Sequence, residues 1–117
     1  MNKKILIFGG TGAIGFSIAK NLKDQGYNPI IIARNKEDLI SKSKEINCSY
    51  EICDVLEIDQ MKEIALKHSE NVIGLAYCVG SINLRPLKIT KDQDFIESFK
   101  VNTLGAINAV KIGRAHV

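Results

Sequence analysis

Short apolar runs alternate along the chain with longer segments of helical period. Four runs predict strands, and they cover residues 5–8, 30–33, 48–53 and 72–79. Apolar residues at helical spacing predict helices over about 13–25, 36–45 and 58–68, and a long last helix from about Lys91. This alternation is typical of a parallel sheet covered by crossover helices. We therefore predict the amino-terminal half of an α/β, doubly wound, Rossmann-type fold with strand order 3-2-1-4.

Several residues predict where these elements begin or end. Gly26 is the expected left-handed stop of the first helix, and Pro29 is expected just before the second strand because it has no N–H for a sheet ladder. The segment 90–93, from Thr90 to Gln93, has the form of a capping box for the last helix. His68 is expected to face solvent at the carboxyl end of the third helix.

A glycine-rich turn joins the first strand to the first helix. It reads Gly9-Gly10-Thr11-Gly12-Ala13-Ile14-Gly15, with glycines 9, 12 and 15 three residues apart. One interpretation is that the small residues merely allow tight packing of the helix on the strand. The position between a strand and a helix favours a pyrophosphate site instead, because unpaired N–H groups at the helix start face the anion.

The end of the second strand predicts which cofactor is bound. An Asp or Glu at this point would bind the ribose 2′-hydroxyl of NAD, whereas this chain has Arg34 followed by Asn35. A guanidinium suits the 2′-phosphate of NADP, although a solvated loop charge is the alternative. The sequence therefore predicts NADP as the cofactor.

Composition narrows the function classes. The 117 residues are 45% hydrophobic and 25% charged, and 16 Lys and Arg against 13 Asp and Glu give a formal charge of +3. One soluble cytoplasmic domain is expected, with no nucleic acid or membrane partner. The three cysteines, Cys48, Cys53 and Cys78, lack the spacing of a metal site or a disulfide framework, so we expect reduced thiols and no metal.

The chain from residue 5 to about 110 resembles the short-chain dehydrogenase/reductase family. Its glycine loop is similar to the family's G-x-x-G-x-x-G variant, and Asp54-Val55 matches an Asp-Val/Leu pair whose carboxylate is expected to bind the adenine amino group. The family's N-N-A-G appears as Tyr77-Cys78-Val79-Gly80, so only the glycine is kept. The resemblance implies that Cys78, Val79 and Gly80 line the cofactor ribose with backbone.

The segment Val101-Asn102-Thr103-Leu104-Gly105 resembles the family's V-N-x-x-G. The resemblance implies a catalytic role for Asn102, which would order a water relay to a catalytic lysine. On a helix, Phe95, Phe99, Asn102 and Ala106 share one face, so the amide lies on an apolar stripe and needs a partner. An asparagine satisfied by a neighbouring carbonyl or water is the alternative.

The family's serine and Tyr-x-x-x-Lys are missing from this chain. None of the three tyrosines has a lysine four residues later. Residues 112–117 match the translation of a common sequencing-library adapter that is followed by a stop codon. We therefore expect residues 1–110 to be a truncated NAD(P)-binding domain and residues 111–117 to be a non-native tail.

The resemblance implies that the parent protein transfers a hydride between NADPH and a carbonyl or alcohol, such as a 3-oxoacyl thioester or a small ketone. A homo-oligomeric parent is expected, and this chain alone is expected to be inactive. A sugar-nucleotide epimerase or dehydratase is one alternative, because such enzymes share the glycine spacing, but the segment 101–105 disfavours it. The other alternative is a non-enzymatic NADP sensor.

Overall fold

The computed structural model describes residues 2–80 and 91–116, without the side chains of Phe95 and residues 113–116. The strands are β1 (Lys4–Phe8), β2 (Asn28–Ala33), β3 (Ser49–Ile52) and β4 (Val72–Tyr77). The helices are α1 (Ala13–Asp24), α2 (Lys36–Ile46), α3 (Ile58–Lys67), α4 (Asp92–Phe99) and α5 (Gly105–His116), and a π-helical turn (Lys100–Leu104) joins the last two.

The four strands form one parallel sheet in the order β3-β2-β1-β4. The predicted fold class and strand order are thus confirmed. Leu6 of β1 is level with Ile30 of β2 on one side and with Leu75 of β4 on the other. In the part of the chain that the structure describes, β4 pairs only with β1 and is an edge strand.

The two central strands, β1 and β2, are buried on both faces, as their apolar residues predict, whereas the edge strands β3 and β4 are only partly buried. Leu6 and Phe8 point to the face covered by α3 and α5, where Met61 and Ala109 complete the core. Successive strand residues point to opposite faces, so Ile7 packs instead on the face covered by α1 and α2. The result is three layers, with the sheet between two pairs of helices.

The second strand begins earlier than predicted, and Pro29 lies inside it. The Asn28 N–H donates to the Lys3 carbonyl at 2.9 Å, on the β1 side. The nitrogen of the next residue therefore points to the β3 side, where pairing starts only at Ile30. No neighbouring strand needs a hydrogen bond from the nitrogen of Pro29, so a proline is accepted at this position of β2. The expectation that Pro29 precedes the strand is wrong.

The N-cap of α4 is Lys91, one residue later than the predicted N-cap, Thr90. The Lys91 N–H donates to the Asp94 Oδ2 at 2.9 Å, while the Asp94 N–H donates to the Lys91 carbonyl at 2.9 Å. The predicted pair of Thr90 and Gln93 is therefore replaced by one shifted by a residue, and Thr90 itself lies outside the described residues. Gly26 ends the first helix with φ +91°, as predicted.

The expected non-native tail stays a prediction. Helix α5 extends to His116, and Ile112 is buried among the core residues on the α3 face.

His68 does not face solvent, contrary to expectation. Its side chain is 13% exposed, and its Nε2 lies 2.5 Å from Oε2 of Glu51 on β3. Lys67 Nζ lies 2.8 Å from the same oxygen. Burial alone would raise the pKa of the Glu51 carboxyl, but the hydrogen bonds and charges of Lys67 and His68 outweigh burial, and the pKa is lowered. This cluster ties the edge strand β3 to the end of α3.

We expect Glu51→Gln to destabilise the fold at neutral pH by about 1 kcal/mol, because the charge-assisted contacts to Lys67 and His68 are lost. A carboxyl whose pKa is lowered by folding contributes stability above its unfolded pKa and loses it as the pH falls through the folded value. The difference from wild type should therefore vanish in acid. Urea unfolding across this pH range measures it, with the exposed Glu63→Gln as control. A difference that persists unchanged in acid would contradict the account.

Candidate functional site

A cleft of about 850 Å³ opens at the carboxyl edge of the sheet. In a parallel sheet, all strands end at the same edge, so the loops that follow them converge there. Eight residues predicted from the sequence line this cleft, and they follow all four strands: Gly9, Thr11, Arg34, Asn35, Asp54, Val55, Val79 and Gly80. The fold therefore brings together residues that are as many as 71 positions apart in sequence.

The other six predicted residues do not line the cleft. Gly12, Ala13, Ile14 and Gly15 form the start of α1. Cys78 lies just after β4, and its N–H donates to the Phe8 carbonyl at 2.7 Å, within the sheet. Asn102 lies beside the cleft on the π-helical turn.

The glycine loop is packed tightly on its own backbone. Gly9 has φ +79°, and a Cβ there would lie 2.7 Å from the carbonyl carbon of Cys78. A Cβ on Gly15 would overlap the carbonyl of Gly9, and its distance to the carbon of that carbonyl would be 2.9 Å. A side chain at Gly9 would push against the backbone that follows β4, and one at Gly15 would force the helix away from the glycine loop. The loop thus sets where α1 begins.

Gly12 differs from these two glycines because space around it is open. A Cβ there would meet only the Gly9 oxygen, at an ordinary 3.5 Å. Gly12 is the N-cap of α1 and gives no side-chain cap, and the first helical turn holds no acidic residue. The ladder starts with the Phe16 N–H bonded to the Gly12 carbonyl at 2.8 Å, and the Gly12 N–H donates to the Gly9 carbonyl at 3.2 Å. The N–H groups of residues 13–15 therefore have no partner in the helical ladder and could bind an anion.

Arg34 and Asn35 follow β2 and have different roles. The Asn35 Oδ1 accepts a hydrogen bond from the Asp38 N–H at 3.1 Å and caps α2. Its oxygen is therefore engaged by the helix. Arg34 is exposed and is the one cation among the described lining residues.

Asp54 is held in place by the turn that leads into α3. Its Oδ1 accepts from the Leu56 N–H at 2.9 Å, and its own N–H donates to Gln60 Oε1 at 3.0 Å. Val55 is 8% exposed and anchors the turn in the core. The carboxylate retains its second oxygen for a donor in the cleft.

Two cysteines, Cys53 and Cys78, lie near the site. The structure has all three as free thiols. Burial and the neighbouring Asp54 raise the pKa of Cys53 to about 11, and burial also raises the pKa of Cys78. Both thiols therefore stay protonated at neutral pH and are poor nucleophiles.

The helical segment around Asn102 is open to solvent. Asn102 is exposed and Phe99 is 54% exposed, and the π-helical turn interrupts the α-helical period at this point. The asparagine Nδ2 lies 3.0 Å from Ser98 Oγ, and a Cβ on Gly80 would lie 3.3 Å from its Oδ1. The amide thus stands against the loop that follows β4.

Sequence reasoning missed seven lining residues: Ile32, Ala33, Asp38, Cys53, Leu56, Glu97 and Val101. Four of them are next to a predicted site residue in sequence, so proximity in sequence could have indicated them. Glu97 is different, since only the packing of α4 over the cleft brings it there. With Asp38 and Asp54 it makes the lining acidic except at Arg34.

Residues 2–80 and 91–116 contain no group of three or more His, Cys, Asp or Glu side chains that could hold a metal ion. No helix in the same ranges is long and apolar enough to cross a membrane.

Comparison with known proteins identifies relatives of the chain. A family model described as short chain dehydrogenase matches residues 3–116. The chain is 26% identical over 116 residues to carbonyl reductase family member 4 of Xenopus tropicalis, covering 96% of this chain and 49% of that protein. It is 31% identical over 103 residues to the 3-oxoacyl-[acyl-carrier-protein] reductase FabG of Rickettsia conorii, covering 86% and 42%.

A solved structure is also similar in fold. The chain superposes on an actinorhodin polyketide ketoreductase variant, solved with NADPH, with a TM-score of 0.89. The two are 22% identical, and the match covers 96% of this chain and 46% of the ketoreductase. The chain spans about half the length of the curated relatives it matches.

The two glycines of α1 should respond differently to alanine. Gly15→Ala should destabilise the fold by about 1–3 kcal/mol, because its Cβ overlaps the Gly9 carbonyl. Gly12→Ala should cost under about 1 kcal/mol, since its Cβ meets only an ordinary contact. Urea unfolding of the two variants checks this difference. Equal losses would show that the loop is not packed as described.

Proposed function

Because the chain belongs to the short-chain dehydrogenase family, we propose that it forms the NADP(H)-binding half of an oxidoreductase acting on a carbonyl or alcohol. The observation that carries the proposal is the cleft, where Gly9 and Thr11 of the glycine loop, Arg34 and Asp54 meet at one edge of the sheet, next to the start of α1. Each of these groups suits a different part of a dinucleotide.

The start of α1 would hold the pyrophosphate. The open space at Gly12 lets a phosphate approach backbone N–H groups that the helix itself does not use. No acidic side chain in the first turn opposes the anion. The tight contacts of Gly9 and Gly15 fix the position of these donors before any ligand arrives, which lowers the ordering cost of binding.

The adenosine end would lie between the loops after β2 and β3. Arg34 would pair with the ribose 2′-phosphate by charge-assisted hydrogen bonds. The cleft favours this use of Arg34, because its other charged lining residues, Asp38, Asp54 and Glu97, are anionic and would not attract a phosphate. Asp54, oriented by Leu56 and Gln60, would accept a hydrogen bond from the adenine amino group.

The nicotinamide end would lie along Val79 and Gly80. When bound, NADPH supplies the hydride for reduction of a carbonyl. The residues of this chain orient the cofactor and exclude water with Val79 and Val101, and Asn102 offers an amide that can hold a water beside Gly80. The proton donor would come from outside residues 1–117, since no Tyr-x-x-x-Lys is present.

The names of the relatives support a substrate class. One is called a carbonyl reductase and another a 3-oxoacyl-[acyl-carrier-protein] reductase. We propose that the parent protein reduces a ketone of this kind, a 3-oxoacyl thioester or a small ketone. Substrate selection would belong to the half of the protein that this chain does not contain.

Arg34→Asp should reverse the preference for NADPH over NADH. The loss of a charge-assisted contact to the 2′-phosphate should weaken NADPH binding by about 10- to 100-fold, while NADH binding is kept or improved. Titrations of both cofactors, followed by their fluorescence, measure the two affinities.

Lys36→Asp is the matched control for this experiment. It makes the same change of charge two residues away, at an exposed position that does not line the cleft. It should weaken NADPH binding much less than Arg34→Asp. Equal losses in the two variants, or an unchanged cofactor ratio in Arg34→Asp, would remove Arg34 from the site.

A further inference from the structure

The helix after β4 is not a regular α-helix next to the cleft. At the π-helical turn, the Gly105 N–H donates to the carbonyl of Lys100, five residues back. An α-helical ladder would instead bond it to Val101, four residues back. The Val101 carbonyl therefore needs another donor, and π-turns of this kind are frequent at functional sites.

Tyr77, the last residue of β4, supplies that donor. Its hydroxyl donates to the Val101 carbonyl at 2.6 Å, although the two residues are 24 positions apart. The ring is partly buried and packs against Phe8 with a centroid distance of 6.2 Å, so the strand holds the hydroxyl in place. Burial also raises the pKa of the phenol, which keeps the proton available at neutral pH.

Gly105 makes room for this contact. Its backbone has φ −59° and ψ −43°, which any residue in a helix adopts, so conformation does not require glycine here. The available space requires glycine, because a Cβ on residue 105 would overlap the Tyr77 hydroxyl. The tyrosine, the π-turn and the glycine thus form one packed unit.

The same turn presents Asn102 to the cleft. Val101 lines the cleft, and the Oδ1 of the next residue, Asn102, faces Gly80, where an added Cβ would lie 3.3 Å away. One residue corresponds to about 100° of rotation in an α-helix. If the turn reverted to α-helical bonding, the side chain of Asn102 would therefore rotate about the helix axis and move away from Gly80.

We propose that Tyr77 is a positioning residue whose hydroxyl holds the π-turn open, so that Asn102 is kept against Gly80 at the nicotinamide end of the cleft. The consequence for cofactor and substrate rests on the proposed function. The contact between Tyr77 and the π-turn does not depend on the proposed function, because it is a property of the fold alone.

Tyr77→Phe tests this inference, since it removes the hydroxyl and keeps the ring. We expect faster hydrogen exchange at the Gly105 amide and shifted NMR resonances of the Asn102 side-chain amide. NADPH affinity should fall about fivefold, as expected for one lost hydrogen bond. Tyr50→Phe is the control, because it removes a hydroxyl on the opposite face of the sheet and should leave the Asn102 resonances unchanged.

A second variant reaches the same turn without altering Tyr77. Gly105→Ala should displace the hydroxyl and shift the same Asn102 resonances. Its effect should be smaller in the Tyr77→Phe background, where the hydroxyl is already gone. Equal effects in both backgrounds would show that the two residues are not coupled and would overturn the inference.

The two proposals fail in different ways. Unchanged Asn102 resonances and Gly105 exchange in Tyr77→Phe would overturn the positioning role, even if the wild-type chain binds NADPH. A wild-type chain that does not bind NADPH, but whose turn loosens in Tyr77→Phe, would overturn the proposed function and retain the contact.

Discussion

The contact between α1 and the carbonyl of Gly9 is the constraint on which the candidate site depends. Gly15 approaches that carbonyl so closely that no Cβ fits between them. The helix therefore begins close to the carboxyl end of β1, next to Gly9 and Thr11, which line the cleft. Because β1 is central in the described sheet, the loops after β2 and β4 lie on either side of this helix start. A phosphate bound there would have Arg34 on one side and Gly80 on the other.

The glycines of this short loop have two different roles. Gly9 and Gly15 serve packing, while Gly12 leaves space where a ligand can approach. A similar separation exists at the other end of the cleft, where Gly105 makes room for the Tyr77 hydroxyl and Gly80 makes room for the Asn102 amide. Each close approach fixes a group that the cofactor would need, so the site is shaped before binding. Such preorganisation reduces the entropy that binding must overcome.

The sequence was informative where local pattern and parallel topology decide the outcome. Apolar runs predicted the strands and their order, and residues after strand ends, such as Arg34 and Asp54, reached the same cleft because parallel strands end together. Contacts that depend on tertiary packing were not predictable. The bond between Tyr77 and Val101 alters the helical period locally, and the Glu51 cluster buries His68 although its helical position suggested exposure. Pro29 is accepted inside β2 only because β3 pairs later along the strand.

NMR titration of the isotope-labelled chain shows whether this edge of the sheet binds the phosphates of NADP. The ligands are 2′,5′-ADP, which carries the 2′-phosphate, and 5′-AMP, which lacks it. We expect 2′,5′-ADP to bind more tightly and to shift the amides of Arg34, Asn35 and Asp54, which line the cleft. Equal affinities for the two ligands, or shifts confined to surfaces away from the cleft, would show that the 2′-phosphate is not bound here.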